Sequence, residues 1–385
     1  MIVLTSKFPF FGQDFRFIQR VNGKTWKSMK EDSIIQSLYR SKQSPTDDCF
    51  LWNKNRLVTT DSMSEGTHFR HDWSSPEEIA WKLVEINASD IGASGGVPKI
   101  CFLNLGLSQL SSKESWINRF AKSLNDRLDL YKILLAGGDT FSSPHTVLSL
   151  TMIGELKEGY TYWNRSEAKP GDRLYITGSL GLSSLGYKFL SQGFSRPREN
   201  EKAGLHLEHK ENASDYLKFQ SITKHITPLS RHILIPELQK FKITSCMDIT
   251  DGLVQDATRL AKTSSVSLEI EINHLPEFSE FIQYMEVDEL ITSGEELELL
   301  FTSRDAIPSS ILGIPITCIG RVGMQEYSNI SNSSESKSKN LNLNSDLKND
   351  LPEDKNSDSP NVHFYRDGKL YLPQSKGFIH FQENE

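Results

Sequence analysis

Cysteine is scarce in this 385-residue chain, and its four residues, Cys49, Cys101, Cys246 and Cys318, stand singly with no C-x-x-C pair. That argues against a disulfide framework or a cysteine zinc site, and each thiol sits in an apolar stretch, as expected of small core residues in a reducing compartment. Long apolar runs are missing as well. Nothing approaches the roughly 18 residues that span a bilayer, and the mean hydropathy is −0.43. Positive charge is not in excess: 43 Lys and Arg against 50 Asp and Glu leave a net charge of −7, which opposes a polyanionic partner such as nucleic acid. The opening "MIVLTSKFPFFGQDFRF" has no basic region ahead of a clean apolar stretch, so export is not expected and the cytoplasm is. There is no G-x-x-x-x-G-K-[ST] sequence and no H-R-D or D-F-G set, which removes support for P-loop and protein-kinase-like enzymes.

What is present suits a soluble globular protein, 37% apolar and 24% charged. The length predicts two domains of roughly 150 residues each. Residues 25–155 alternate strand and helix patterns, with strands expected at 47–52, 56–61, 100–107, 132–136 and 147–155. Ser75, Pro76 and Glu78 supply an N-cap, a first-turn proline and a capping-box glutamate for a helix through "EEIAWKLVEINASDIGA". The pattern restarts at the Pro170-Gly171-Asp172 turn, placing the domain boundary near residue 157. The fold class expected is therefore α/β (α+β), as domains 1–156 and 157–385. The second domain is expected to have helices at 181–192, 229–240 and 252–263 and strands at 173–177, 245–249, 267–272, 297–302 and 315–321. Residues 326–360 are dominated by Ser, Asn, Lys and Asp and predict a disordered insertion. Apolar character returns in "VHFYRDGKLYLP", a closing hairpin around Asp367-Gly368.

Carboxylates recur where they are costly. Asp61 ends an apolar run; Asp48 precedes "CFLW"; Asp139 ends "ILLAGGD"; Asp248 ends "ITSCMD", with Asp251 three residues later. Asp90 continues a helical stripe of Ile79, Leu83 and Ile86. An isolated ionised carboxylate in such a setting costs several kcal/mol unless donors or cations satisfy it. Converging aspartates read as a cage for Mg²⁺ and a polyphosphate, because Mg²⁺ takes a few carboxylates plus phosphate oxygens. Each also has a plain structural reading: Asp251-Gly252 as a helix cap, Asp139-Thr140 as a cap or turn, Asp47-Asp48 as a solvated loop, His68 as a loop or core histidine and Glu65 as a solvated charge. "GGDT" and "TGSLGLSSLG" each follow an expected strand, and the second opens a helix whose amides suit an anion.

In order, "VTTDSMSEGTHF", "INASDIGASGGVP", "AGGDT", "NRSEAKPGDRLYITG", "MDITDGLVQD" and "SGEELELLFT" resemble the motifs of the bacterial thiamine-monophosphate kinase family over most of residues 45–322. "KGF" at 376–378 resembles the family's tail. The resemblance implies two mixed α/β domains of the aminoimidazole ribonucleotide synthetase type, with the N-terminal sheet pairing across a homodimer. It implies transfer of the ATP γ-phosphoryl group to thiamine monophosphate, with several Mg²⁺ ions. By motif position, Asp48, Thr59, Thr60, Asp61, Asp90, Asp139, Asp248 and Asp251 would hold metal, with Asp61, Asp90, Asp139 and Asp248 central to catalysis. Gly138, Asp139, Arg165 and Thr250 would contact ATP, and His68, Glu295 and Phe378 the acceptor, Phe378 reading equally well as a core aromatic. The chain departs from the family's usual pattern in "SPTDD", in "GLSS" for "GD.S", at Phe141 for an arginine, and in "TSGEELEL", where Ser293, Glu296 and Leu297 stand for glycine, aspartate and tyrosine. Two other readings stay open: an ATP-dependent enzyme with another small acceptor, and a nucleotide-binding homologue without turnover.

Overall fold

The computed structural model describes Leu38 and residues 47–195, 213–325 and 362–375, and those from 47 onward belong to one compact unit. The expected insertion at 326–360 and Phe378 lie outside the described residues. Within the unit are two mixed sheets with helices. The first sheet combines β1 (Phe50–Trp52), β2 (Arg56–Ser64), β3 (Val97–Leu107), β4 (Leu134–Ser142) and β5 (Val147–Glu155) in the order β1-β2-β5-β3-β4. Only β3 and β4 run parallel, joined by a crossover helix. One face is covered by α1 (Pro76–Ala93) and α2 (Glu114–Tyr131), whose Ile79, Leu83, Phe120 and Leu124 pack on Leu57, Met63, Leu148 and Leu150.

The second half begins with β6 (Arg173–Thr177), α3 (Leu182–Ser191) and α4 (Ala213–Ile226), followed by α5 (Ile235–Leu238) and β7 (Ile243–Ile249). Next come α6 (Leu253–Ser264), β8 (Val266–Glu271), α7 (Phe278–Phe281), α8 (Val287–Ile291), β9 (Glu298–Ser303), β10 (Ser310–Ile311), β11 (Ile314–Met324), β12 (Val362–Arg366) and β13 (Lys369–Tyr371). Its sheet runs β13-β12-β8-β11-β6-β9-β7, with β10 pairing β11 off that path. The last two strands form the expected hairpin around Asp367 and Gly368.

Several expected boundaries move for identifiable reasons. β2 continues to Ser64 because β5 pairs with it along its whole length, so Asp61 lies inside a strand and not at its tip. Pairing with β3 likewise carries β4 through Gly137, Gly138 and Asp139. The helix expected at 229–240 divides into a 3-10 turn at His232–Leu234 and α5, since Pro236 has no N–H to continue the earlier turn and suits the start of a new one. The long helices α2 and α4 add to the expected set. Cys49, Cys101 and Cys246 are buried, but Cys318 is exposed on the sheet surface.

The start of α1 follows its sequence closely. Glu78 N–H donates to Ser75 Oγ at 3.3 Å, and Ser75 N–H donates to Glu78 Oε2 at 2.8 Å, closing the capping box. Its far end enters the other half of the molecule, where Ala93 packs with Trp163, Leu238, Cys246 and Phe301. One helix is thus cemented into both cores. Gly92 allows the approach, because a Cβ there would lie 2.8 Å from the His232 backbone.

Candidate active site

The site forms where α1 meets the edge of each sheet. Asp48 precedes β1, Asp90 is in the last turns of α1, and Asp248 sits one residue before the end of β7. One carboxylate oxygen from each lies within 4.8 Å of the others. Asp90 is 9% exposed and Asp248 1%. Thr59 Oγ1 donates to Asp90 Oδ2 at 2.5 Å, Ser89 Oγ donates to Asp248 Oδ2 at 2.6 Å, and Arg165 pairs with Asp48. Burial first, then the neighbouring carboxylates, pushes the Asp90 and Asp248 carboxyls well above the usual range. Asp48 moves the same way through burial, against the pull of Arg165.

Asp61 belongs with this group. It shares the inner face of β2 with Thr59, its N–H donates to Asn87 on α1 at 3.1 Å, and after burial its charge does most to raise the Asp90 carboxyl. The donor set is hard oxygen, acidic and crowded, which is the chemistry Mg²⁺ accepts. Asp48, Asp90 and Asp248 present oxygens close enough together to fit such an ion.

Other expected members lie elsewhere. Thr60 faces the opposite side of β2, where its hydroxyl accepts from Thr151 at 3.1 Å. Asp139 is exposed on edge strand β4, opposite Asn104, and Gly138 is opposite Leu103. With β5 and β3 between β2 and β4, Asp139 stands three strand spacings, about 14 Å, from β2. Gly138 must be glycine, because a Cβ would fall 1.8 Å from Leu103 O. Asp251 lies in the turn before α6 and pairs with Arg259, while the N–H groups of Thr250 and Asp251 donate to buried Asp256 at 3.0 and 3.1 Å.

The loop bearing Glu295 hangs on that turn: Glu295 N–H donates to Thr250 O at 2.7 Å, with Glu295 in a left-handed conformation. Its carboxylate meets Lys82 of α1 at 3.0 Å and His225 of α4 at 3.8 Å. Burial works to raise the Glu295 carboxyl, but Lys82 and the histidines overcome it and the net direction is down. Lys82 also donates to His68 O at 3.1 Å. Lys82 and His225 are functional candidates that sequence reasoning missed. The signal for Lys82 was a charge inside an otherwise buried helix; His225 had none.

The anion expected at the start of α3 is supplied by the chain itself. Glu296 Oε1 accepts from the N–H groups of Gly181 at 2.8 Å and Ser183 at 3.1 Å, and from Ser293 Oγ at 2.5 Å. Two departures from the family pattern, Ser293 and Glu296, therefore form one hydrogen-bonded cap.

Residues 46–156 match the family model "AIR synthase related protein, N-terminal domain" and residues 169–307 its C-terminal counterpart. A curated thiamine-monophosphate kinase of Leptospira interrogans is 43% identical over 293 residues, 76% of this chain and 89% of that protein. The chain belongs to the thiamine-monophosphate kinase family. Among solved structures, thiamine monophosphate kinase from Aquifex aeolicus matches at 28% identity and TM-score 0.63, covering 77% of this chain and 93% of that one. AaThiL complexed with AMPPCP and TMP matches at 25% and 0.67, covering 93% and 100%. No helix among the described residues is long and apolar enough to cross a membrane.

Two outcomes follow. Asp90→Asn removes one of the crowded carboxylates, so the melting temperature without divalent cations should hold or rise, while most of the rise on adding Mg²⁺ should vanish. Calorimetric melts with EDTA and with Mg²⁺ check this. Glu296, buried first and only partly offset by Lys224 and its hydrogen bonds, is pushed up to about 7. The folded state then holds a proton that the unfolded chain releases, so stability present below the ordinary 4.5 is lost as pH rises through about 7. Glu296→Gln should flatten that decline in melting temperature measured from pH 4.5 to 7.5.

Proposed function

We infer that this protein transfers the γ-phosphoryl group of ATP to thiamine monophosphate, giving thiamine diphosphate and ADP. The observation that carries the reading is the buried meeting of Asp48, Asp90 and Asp248 from three separate segments, in a chain of the thiamine-monophosphate kinase family. We propose Mg²⁺ as the ion held there by Asp48, Asp61, Asp90 and Asp248; when bound it neutralises the charge of the phosphates.

The chain's own residues supply position. α1 holds Asp90 against Thr59 on one side and, through Ser89, Asp248 on the other, so the cage geometry depends on closure of both halves. Burial works against the Arg165 charge, yet Asp48 with Asp248 and Asp256 offsets it, leaving a charged guanidinium beside the cage for a phosphate oxygen. No general base is required, because a phosphate monoester has its second pKa near 6 and its acceptor oxygen is already anionic at neutral pH. Rate then comes from alignment and charge neutralisation.

We also propose a division into two domains near residue 157, and a homodimer formed through the outer face of the first sheet. Phe50, Trp52 and Phe102 are 65%, 54% and 39% exposed there, and no described helix covers them. An apolar patch of this kind fits a protein partner. Thr60 and Asp139 share that face, so a second copy related by a twofold axis can bring its Asp139 to the first copy's Thr60. The buried thiols Cys49, Cys101 and Cys246 fit a reducing cytoplasm.

Purified protein with ATP, Mg²⁺ and thiamine monophosphate should form thiamine diphosphate; ADP appearing only with a different acceptor overturns the substrate. Asp90→Asn and Asp139→Asn should each be inactive alone. If Asp139 acts across the dimer, co-refolded mixtures regain about a quarter of wild-type activity by statistical pairing, and no recovery places Asp139 in its own subunit's site.

A further inference from the structure

One face of α1 meets the second half of the molecule at a regular interval. Trp81, Glu85 and Ser89 recur every four residues and so share a face of the helix. Trp81 Nε1 donates to Pro228 O at 2.7 Å, Glu85 Oε2 accepts from Ser230 N–H and Ser230 Oγ at 2.8 Å each, and Ser89 Oγ donates to Asp248. Farther along, Gly92 lies against the His232 backbone. Pro228, Ser230 and His232 therefore tie the connection between α4 and α5 to α1, as a strap laid beside the helix.

Arg231 leaves the strap for a different element. Its guanidinium forks onto Glu298, with Nε donating to Oε2 at 2.6 Å and Nη2 pairing with Oε1. Glu298 opens β9, and β9 pairs with β7 so that Glu298 stands opposite Ile249 and Leu299 opposite Asp248. Two adjacent residues, Ser230 and Arg231, thus join α1, five residues before Asp90, to the strand pair that carries Asp248.

Both carboxylates at the ends of this link are fully committed. Glu85 and Glu298 are each 0% exposed. Glu85 Oε1 accepts from Arg127 Nε at 2.6 Å and from the Tyr131 hydroxyl at 2.7 Å, both on α2, while its Oε2 takes the strap. Arg127 is held over two aromatic rings, 3.5 Å from the Trp81 centroid and 4.6 Å from that of Tyr131. Glu298 also accepts from Lys224 at 2.5 Å and from the Thr177 hydroxyl at 2.7 Å. A buried carboxylate engaged at both oxygens yields little, since any shift leaves a donor or a charge unpaired.

We propose that Glu85, Ser230, Arg231 and Glu298 are positioning residues, and that the strap is a spacer fixing the distance between Asp90 and Asp248 and with it the size of ion the cage accepts. This rests on the assigned metal-dependent reaction. The four residues act through α1 and the β7–β9 pair, not by contact with the reacting atoms. Spacing decides the ion because Mg²⁺ demands near-octahedral oxygens at about 2.0–2.1 Å, whereas Ca²⁺ tolerates about 2.3–2.6 Å and irregular shells. A loosened spacer therefore penalises the smaller ion and spares the larger.

The link is tested by cutting each side in turn. Glu85→Gln keeps the shape but offers one amide oxygen to donors on two sides. Arg231→Ala leaves Glu298 its Lys224 charge, so this variant retains a folded protein even if Glu85→Gln does not. Titration calorimetry with Mg²⁺ alone and with Ca²⁺ alone reads the two Kd values. Each variant should weaken Mg²⁺ binding about tenfold and Ca²⁺ binding no more than about twofold. The double variant should be no weaker than Arg231→Ala, because a spacer cut once is already free. An unaltered ratio of the two Kd values in Arg231→Ala, or losses that multiply in the double variant, overturns the proposal while leaving the reaction intact. If wild-type protein binds neither ion, the metal-dependent reading itself fails. A crystal structure of Arg231→Ala then decides the spacer: a changed separation of the Asp90 and Asp248 carboxylates supports it, and an unmoved pair overturns it.

Discussion

Three aspartate carboxylates drawn to within 4.8 Å of one another and largely shut off from water set the terms for everything around them. Such a cluster opposes folding, since each charge loses hydration and repels the others. The structure limits the cost locally through the Thr59 and Ser89 hydroxyls and the Arg165 guanidinium. What remains is a strong preference for added positive charge, which is the property a metal-dependent phosphoryl-transfer site needs. A site destabilised in isolation and relieved by its ligands is a recurrent trade between stability and activity.

The cluster exists only because α1 belongs to two cores at once. Its Ile79 and Leu83 side packs into the first sheet's core, and Ala93 packs into the second half. Along its length it meets Thr59 through Asp90, Asp248 through Ser89 and Glu295 through Lys82. The carboxylate cluster and the Lys82–Glu295 pair therefore hang on one rigid rod. Change in how the halves close moves both together.

Ser293 and Glu296 show how a departure from a family pattern is absorbed. Taken singly, a serine for glycine and a longer acid for aspartate change loop freedom and charge placement. In the structure the serine hydroxyl donates to the carboxylate, and that carboxylate caps the amides at the start of α3. The glycine-rich segment at 178–181 is thereby committed to an internal partner.

By itself the sequence determined the elements and the chemistry of the candidate residues. The Ser75-Pro76-Glu78 start, the restart at Pro170, the hairpin at Asp367-Gly368 and the recurrence of aspartates beside apolar runs were legible because local sterics, capping and periodicity act over a few residues. Tertiary structure alone decided which aspartates meet. β5 pairing drew β2 past Asp61, β3 pairing drew β4 past Asp139, and the alternation of strand faces put Thr60 and Asp139 on the side away from Asp90. It also decided the company of Lys82, whose Glu295 partner is 213 residues away. Residue type and spacing set what a side chain can do; strand register and helix packing, which sum weak contacts over the whole chain, set where it does it.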